Sequence, residues 1–181
     1  MDNKALTKWN PKQGEVDDNS SAKEQRPPTI AIIDDDIHLV HAISRILKAH
    51  HQCTVNGYPS VEEFLLAVDK GKADDVSLIL LDFHLPGQSG PKLVEELRKR
   101  RSHLLANSYI LGMTGDPEKI VHNEFQDAGI EEIIQKPLQK FDYKKISKIA
   151  HAVKEHNANL AYQADYNDES TMEPNIIKRY I

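Results

Sequence analysis

Three consecutive acids, Asp34, Asp35 and Asp36, close an apolar run, TIAII, and a further acid, Asp82, closes a second one, VSLILL. A hydroxyl, Thr114, follows the run SYILGM, and a lysine, Lys136, stands just beyond IEEII. Carboxylates gathered in one place repel one another unless they share a cation. A compact set of oxygen ligands favours a hard ion such as Mg²⁺, with Mn²⁺ as a substitute. Such an ion neutralises phosphoryl oxygens, while a lysine ammonium and a hydroxyl contact others. One carboxylate can then act as nucleophile and form an acyl phosphate. In an in-line transfer of that kind the protein's work is positioning and charge neutralisation. Asp82 is the nucleophile candidate, because it ends the most apolar run and precedes the tight FHLPG turn. Asp34 and Asp35 are the candidate metal-site acids, and Asp36 reads as a helix cap. Taken singly, Thr114 is an ordinary turn residue and Lys136 an ordinary exposed lysine; together with the acids they become informative. His84, two residues beyond Asp82, either exchanges protons near neutral pH or points into solvent, and the latter is the plainer reading.

These residues come together only if the runs are neighbouring strands. TIAIID is short, apolar and branched, as a buried strand is. Asp36 to His50 places Val40, Ile43 and Leu47 at helical offsets. Gln52 to Asn56 is a weaker strand, and Pro59 and Ser60 open a helix, VEEFLLAVDKG, that stops at Gly71. VSLILL is the firmest strand. Pro86, Gly87 and Gly90 punctuate the next loop, and Pro91 suits the first turn of a helix carrying Leu93, Val94 and Leu97. SYILGM is the fourth strand, followed by a helix from about Pro117 to Ala128 with Gly129 as C-cap. IEEII is the fifth strand. A last helix begins near Phe141, with Ile146, Ile149, Val153 and Leu160 on one stripe. Strand and helix thus alternate five times, which predicts an α/β fold: a five-stranded parallel sheet with helices on both faces. Ligands in open sheets of this kind sit beyond the carboxyl ends of the strands, where Asp34, Asp35, Asp82, Thr114 and Lys136 all fall.

The 181 residues suffice for one domain with tails. Residues 1–28 carry five acids and five bases, are rich in polar residues and proline, and read as a flexible arm in which Trp9 is the one aromatic. Residues 29–156 are the folded unit and residues 157–181 an extension or tail. The formal net charge of −5 does not suggest a non-specific nucleic-acid binder, although a local basic patch remains open. The Arg98–Arg101 cluster reads as a solvated helix face. The lone Cys53 cannot form an internal disulfide, no run of roughly 18 apolar residues predicts a membrane span, and MDNKALTKWN lacks a signal-peptide core. A cytoplasmic protein without membrane contact is the plain expectation. The nine histidines form neither HxH nor HExxH, so a dedicated zinc site is not expected.

On IAIIDDD, LILLDFHLPGQSG, GMTGDPEK and IIQKPL, in that order, the chain resembles the receiver domain of bacterial two-component response regulators, of the single-domain kind, over roughly Pro28 to His156. The resemblance implies the flavodoxin-like receiver topology. It implies that Asp82 accepts a phosphoryl group from a sensor histidine kinase or a histidine phosphotransfer protein. Asp34, Asp35, Asp82 and the backbone carbonyl of His84 would hold Mg²⁺, Lys136 would pair with the phosphoryl group, and Thr114 would move toward it. It also implies a cis Lys136–Pro137 bond, and an output face built from the fourth helix, the fifth strand and the last helix. One departure stands out. The family commonly has Tyr or Phe three residues before the lysine, and here that residue is Ile133, which throws the readout onto the Thr114–Glu118 loop and its helix.

The function this implies is that of a single-domain response regulator, signalling through protein contacts or phosphorelay. Self-phosphorylation would require Mg²⁺ and be followed by slow autodephosphorylation, rather than the turnover of a dedicated enzyme. Two alternatives stay open: a receiver-like binding module that has lost phosphorylation, and a small Mg²⁺-dependent phosphatase with an aspartyl nucleophile. The expected partners are the phosphodonor, a downstream protein and, as an option, a second copy. After His156 too little chain follows for a helix-turn-helix domain, so direct DNA binding is not expected. The segment NIIKRYI is apolar enough to dock on the domain or on another copy.

Overall fold

A computed structural model describes residues 26–100, 102–116, 119–130 and 132–166 of the chain. The expectations for the arm before Arg26, with Trp9, and for the tail after Tyr166 lie outside the described residues. In chain order the elements are β1 (Thr29–Ile33), α1 (Ile37–His51), β2 (Thr54–Tyr58), α2 (Val61–Asp69) and β3 (Val76–Asp82). Two-residue strands β4 (His84–Leu85) and β5 (Gln88–Ser89) follow, then α3 (Gly90–Arg100), α4 (Ser102–Asn107) and β6 (Tyr109–Thr114). α5 (Lys119–Asp127), β7 (Ile133–Gln135) and α6 (Lys140–Tyr166) complete the series. Five strands form one parallel sheet in the order β2-β1-β3-β6-β7. This is the flavodoxin-like arrangement, in which the chain winds outward on both sides of β1 and β3.

Every residue of β1 and β3 is buried, so these strands show no polar alternation. The pleat still divides their side chains between two cores. Ile30, Ile32, Leu78, Leu80, Leu111, Met113 and Ile134 face α1 and α6 through Val40, Ile43, Leu47, Ile146 and Ala150. Ala31, Ile33, Ile79 and Leu81 face the other way, onto Phe64 of α2, Leu93, Val94 and Leu97 of α3, and Phe125 of α5. Helices therefore cover both faces and leave only the strand ends open.

Local rules account for most boundaries. Asp36 caps α1 by accepting the N–H groups of His38 and Leu39 at 3.0 and 3.1 Å, and Ser60 caps α2 by accepting Glu63 N–H. The second strand starts later than the sequence suggests, because Gln52 takes a left-handed conformation (φ 51°) that closes α1. The fifth is likewise shorter: Gly129 and Ile130 donate to Gln126 and Phe125 and belong to the end of α5. Leu160 is not on the buried stripe of α6; it is 48% exposed. Arg98 also departs from a purely solvated role, since its guanidinium donates to the Ala128 carbonyl at the end of α5.

Leu80 is fully buried at the centre of the sheet. Leu80→Ala is expected to destabilise the fold by about 3 kcal/mol, measured as a shift in the denaturant midpoint. A loss below about 1 kcal/mol would mean that the α1/α6 core is not packed as described.

Candidate functional site

Parallel pairing brings the chemistry to one edge. Ile33 pairs with Leu81, Asp82 with Met113, and Thr114 with Gln135. The residues that end or follow these rungs, Asp34, Asp82, Thr114 and Lys136, accordingly emerge together at the carboxyl side of the sheet. Two backbone bonds fix the stagger there: Phe83 N–H donates to Met113 O at 3.0 Å, and Lys136 N–H donates to Thr114 O at 2.7 Å.

Lys136 Nζ lies 2.6 Å from Asp34 Oδ2 and 2.6 Å from Asp82 Oδ1. Asp34 and Asp82 are almost completely buried, at 1% and 4% exposure. The second oxygen of each carboxylate is held by backbone. Asp36 N–H donates to Asp34 Oδ1 at 3.0 Å, and His84 N–H donates to Asp82 Oδ2 at 3.1 Å. Asp34 Oδ2 is close to the ammonium yet makes no hydrogen bond of good geometry, which leaves acceptor capacity directed into the site. Burial pushes the Asp82 carboxyl above the usual carboxylate range; Lys136 opposes the rise and the charge of Asp34 adds to it. Burial acts to lower the Lys136 ammonium, but its pairing with the Asp34 and Asp82 charges outweighs that, so its pKa is raised.

One carboxylate oxygen from each of Asp34, Asp35 and Asp82 lies within 4.8 Å of the others. Asp35 is exposed and forms the solvent side of this cluster. Three hard oxygen donors so close, one of them a buried oxygen whose partner is the Lys136 ammonium, fit a small divalent cation such as Mg²⁺.

The loop after Asp82 is tighter than the sequence showed. His84 pairs with Ser89 and Leu85 with Gln88 in an antiparallel hairpin, turned at Pro86–Gly87 with Gly87 at φ 84°, a conformation that favours glycine. Gly90 N–H donates to Phe83 O at 2.9 Å. A Cβ on Gly90 would collide with the Asp82 carbonyl oxygen. Gly90 thus positions the strand end that carries Asp82, a role that spacing alone did not reveal. The His84 side chain is exposed, its ring standing edge-on to Phe83 with centroids 4.8 Å apart.

Thr114 is fully buried, and its hydroxyl accepts Asp116 N–H at 3.0 Å. The pleat places it on the side of Gly112, which packs against Phe125, whereas Asp82 continues the side of Leu78 and Leu80. Thr114 therefore reaches the edge but is engaged in its own turn. The Lys136–Pro137 bond is cis. Ile133 is half-buried against the core that contains Phe125.

The family described as response regulator receiver domain matches residues 30–148. The chain is similar to a hybrid signal transduction histidine kinase L of Dictyostelium discoideum, at 24% identity over 79% of this chain and 9% of that protein. It is 28% identical to the regulatory protein VanR of Enterococcus faecium over 72% of this chain and 56% of that protein. Its match thus spans about half or less of these relatives. Among solved structures it is similar to a CheY-like response regulator receiver domain protein from Methanospirillum hungatei. That match has TM-score 0.58 and 23% identity, and covers 74% of this chain and 98% of the other. The likeness to an amoeba kinase means that the resemblance is not confined to bacteria.

Lys136 is the counter-charge for two buried carboxylates, so Lys136→Met is expected to lower stability in metal-free buffer by about 2 kcal/mol, below the usual cost of a broken buried pair because the ammonium is partly exposed. Mg²⁺ should restore part of the loss. The lysine's raised pKa means that its contribution is present below the unfolded-state value and is lost as pH rises through the folded-state value. Thermal melts with and without Mg²⁺ from pH 7 upward test this; a variant as stable as the parent without metal would contradict the pairing.

Proposed function

The chain belongs to the response regulator receiver domain family, and from that premise we propose that Asp82 is its phosphoryl acceptor. The observation that carries this is Lys136 Nζ lying 2.6 Å from both Asp34 and Asp82, which makes one carboxylate of a cation-binding pair the nucleophile. An Asp82 oxygen forms the new O–P bond as the P–N bond of a donor phosphohistidine breaks. The imidazole takes the electron pair and then a proton. Lys136, displaced from full pairing with Asp82, turns to a phosphoryl oxygen. Asp34, Asp35, Asp82 and the His84 carbonyl would hold Mg²⁺, which when bound neutralises charge on the transferring group. Gly90 and the hairpin hold the Asp82 backbone while its side chain reacts.

The donor in this reading is a sensor histidine kinase or a histidine phosphotransfer protein, and the output is a contact with a downstream protein. Residues 29–156 are the receiver unit, with 1–28 and 157–181 as extensions. Thr114 would leave Asp116 and bond the phosphoryl group. With Ile133 in place of an aromatic, that movement is read by the turn at Gly115–Asp116 and α5 rather than by ring rotation. Retention of the acids, hydroxyl and lysine favours phosphorylation over a module that has lost it.

Incubation with Mg²⁺ and a small phosphodonor such as acetyl phosphate is expected to give a hydroxylamine-sensitive phosphate on Asp82. Asp82→Asn should abolish it, and Asp34→Asn should remove its dependence on Mg²⁺ together with most of its rate. Intact mass spectrometry and peptide mapping check this, and labelling at any residue other than Asp82 counts against the assignment. His84→Asn should leave the phosphate lifetime unchanged if the exposed ring has no part in hydrolysis.

A further inference from the structure

The segment that joins β1 to α1 is anchored at both ends on β2. Asp34 N–H donates to Tyr58 O at 3.1 Å, which ties the end of β1 to its neighbour. Val40, in the first turn of α1, is buried and packs on Gly57, where an added Cβ would collide with Val40 Cγ1. Between these anchors two carboxylates close the chain on its own backbone. Asp34 Oδ1 accepts Asp36 N–H at 3.0 Å. Asp36 Oδ1 accepts His38 N–H at 3.0 Å and Leu39 N–H at 3.1 Å. Ile37 N–H donates to Asp35 O at 3.0 Å and completes the turn. Short side chains that bond backbone groups two or three residues on set the direction of the chain.

Both closures pass through Asp36. Its cap fixes it relative to α1, and with it the Asp35–Asp36 peptide whose N–H holds Asp34 Oδ1. Asp35 stands at the apex of the turn, exposed, with a carboxylate oxygen within 4.8 Å of oxygens of Asp34 and Asp82. Asp36 itself is not one of that group, because its side chain is committed to the helix.

A small divalent ion binds well only where its ligands meet a narrow octahedral geometry. Groups that orient the ligands therefore raise affinity without touching the ion. We propose that Asp36 is a positioning residue of the cation site: its capping side chain holds Asp34 and Asp35 in the arrangement that binds the ion, and so couples occupancy of the site to the first turn of α1. This rests on the reading of Asp34, Asp35 and Asp82 as a cation site. Coupling of this kind is reciprocal, so the His38 and Leu39 N–H bonds are steadier when the site is filled.

Four variants of the full chain separate the cap from the charge, since all four remove the same carboxylate. Asp36→Asn and Asp36→Ser keep a capping acceptor; Asp36→Ala and Asp36→Gly do not. Binding of Mn²⁺ is read by electron paramagnetic resonance of the free ion, with Mg²⁺ as competitor. The Asn and Ser variants are expected to bind about tenfold more tightly than the Ala and Gly variants. Glycine at an N-cap costs a helix little, so the Gly variant should melt close to the Asn variant and stands in for the Ala variant if that one does not fold. Hydrogen exchange supplies a readout independent of affinity. Mg²⁺ should slow exchange at the His38 and Leu39 amides in the parent and the Asn variant, but not in the Gly variant.

Equal affinity in all folded variants would mean that only the lost charge matters, and overturns the proposal. Exchange at His38 and Leu39 that ignores Mg²⁺ in the parent overturns the coupling. Asp34→Asn distinguishes these failures from failure of the cation site. A parent that binds no ion, or binds as well after Asp34→Asn, overturns the site and the proposal together. Loss of binding in Asp34→Asn, with equal affinity among the Asp36 variants, overturns the proposal alone.

Discussion

One ammonium group between two buried carboxylates organises this molecule. Asp34 and Asp82 end adjacent strands at 1% and 4% exposure, where two negative charges would repel each other with little help from water. Lys136 Nζ at 2.6 Å from each answers that repulsion. The arrangement is nonetheless under tension, because burial and the neighbouring acid still hold Asp82 above the usual carboxylate range. A carboxylate that is incompletely neutralised in the resting protein gains most from a nearby divalent ion and, in the proposed function, would gain from forming an acyl phosphate. The pairing that stabilises the fold is thus also what would prepare Asp82 for the proposed reaction.

Everything else in the sheet serves to hold those three side chains in place. β1 and β3 must be buried on both faces for their ends to be neighbours, and the two cores above and below them do this. β6 intervenes between β3 and β7, so Lys136 reaches Asp82 from two strands away and Asp34 from three, and the bond from its own N–H to Thr114 O anchors its start. The hairpin after Asp82 fixes the other carboxylate oxygen through His84 N–H. Gly90 lets the chain pass against the Asp82 carbonyl where no side chain would fit.

The sequence was legible where one short-range rule decided the outcome. Apolar runs marked the five strands, Asp36 and Ser60 announced their caps, and the acids and Lys136 could be assigned to one edge because parallel strands all end there. It was less legible where competing local interactions set a boundary. Gln52 delays β2 through a left-handed conformation, and the C-terminal turn of α5 claims Gly129 and Ile130 from the strand read into IEEII. Arg98 looked like one charge in a basic cluster because its acceptor, the Ala128 carbonyl, lies 30 residues away. Leu160 kept the helical spacing of a core residue, but spacing cannot say where the sheet beneath a helix stops. Thr114 was placed at the right edge, whereas its engagement with Asp116 depends on the pleat and on turn geometry that residue types do not encode.

The distinction between Thr114 and Lys136 bears on how a signal would leave the site. Lys136 is already in contact with both acids, so in the proposed reaction it would exchange its pairing with Asp82 for a phosphoryl oxygen. Thr114 is buried and bonded in the opposite direction, toward the turn that leads to α5, and can meet a phosphoryl oxygen only by breaking the Asp116 bond. Under the proposed function, a change at Asp82 would be transmitted through the turn after β6 and the helix it carries. Phe125 of that helix packs both on Gly112 and on Phe83, the residue after Asp82. Ile133 borders the same core without a ring to swing. Under the proposed function, coupling between Asp82 and the surface would run through packing around Phe125, which would shift as a unit because a close-packed core resists partial movement.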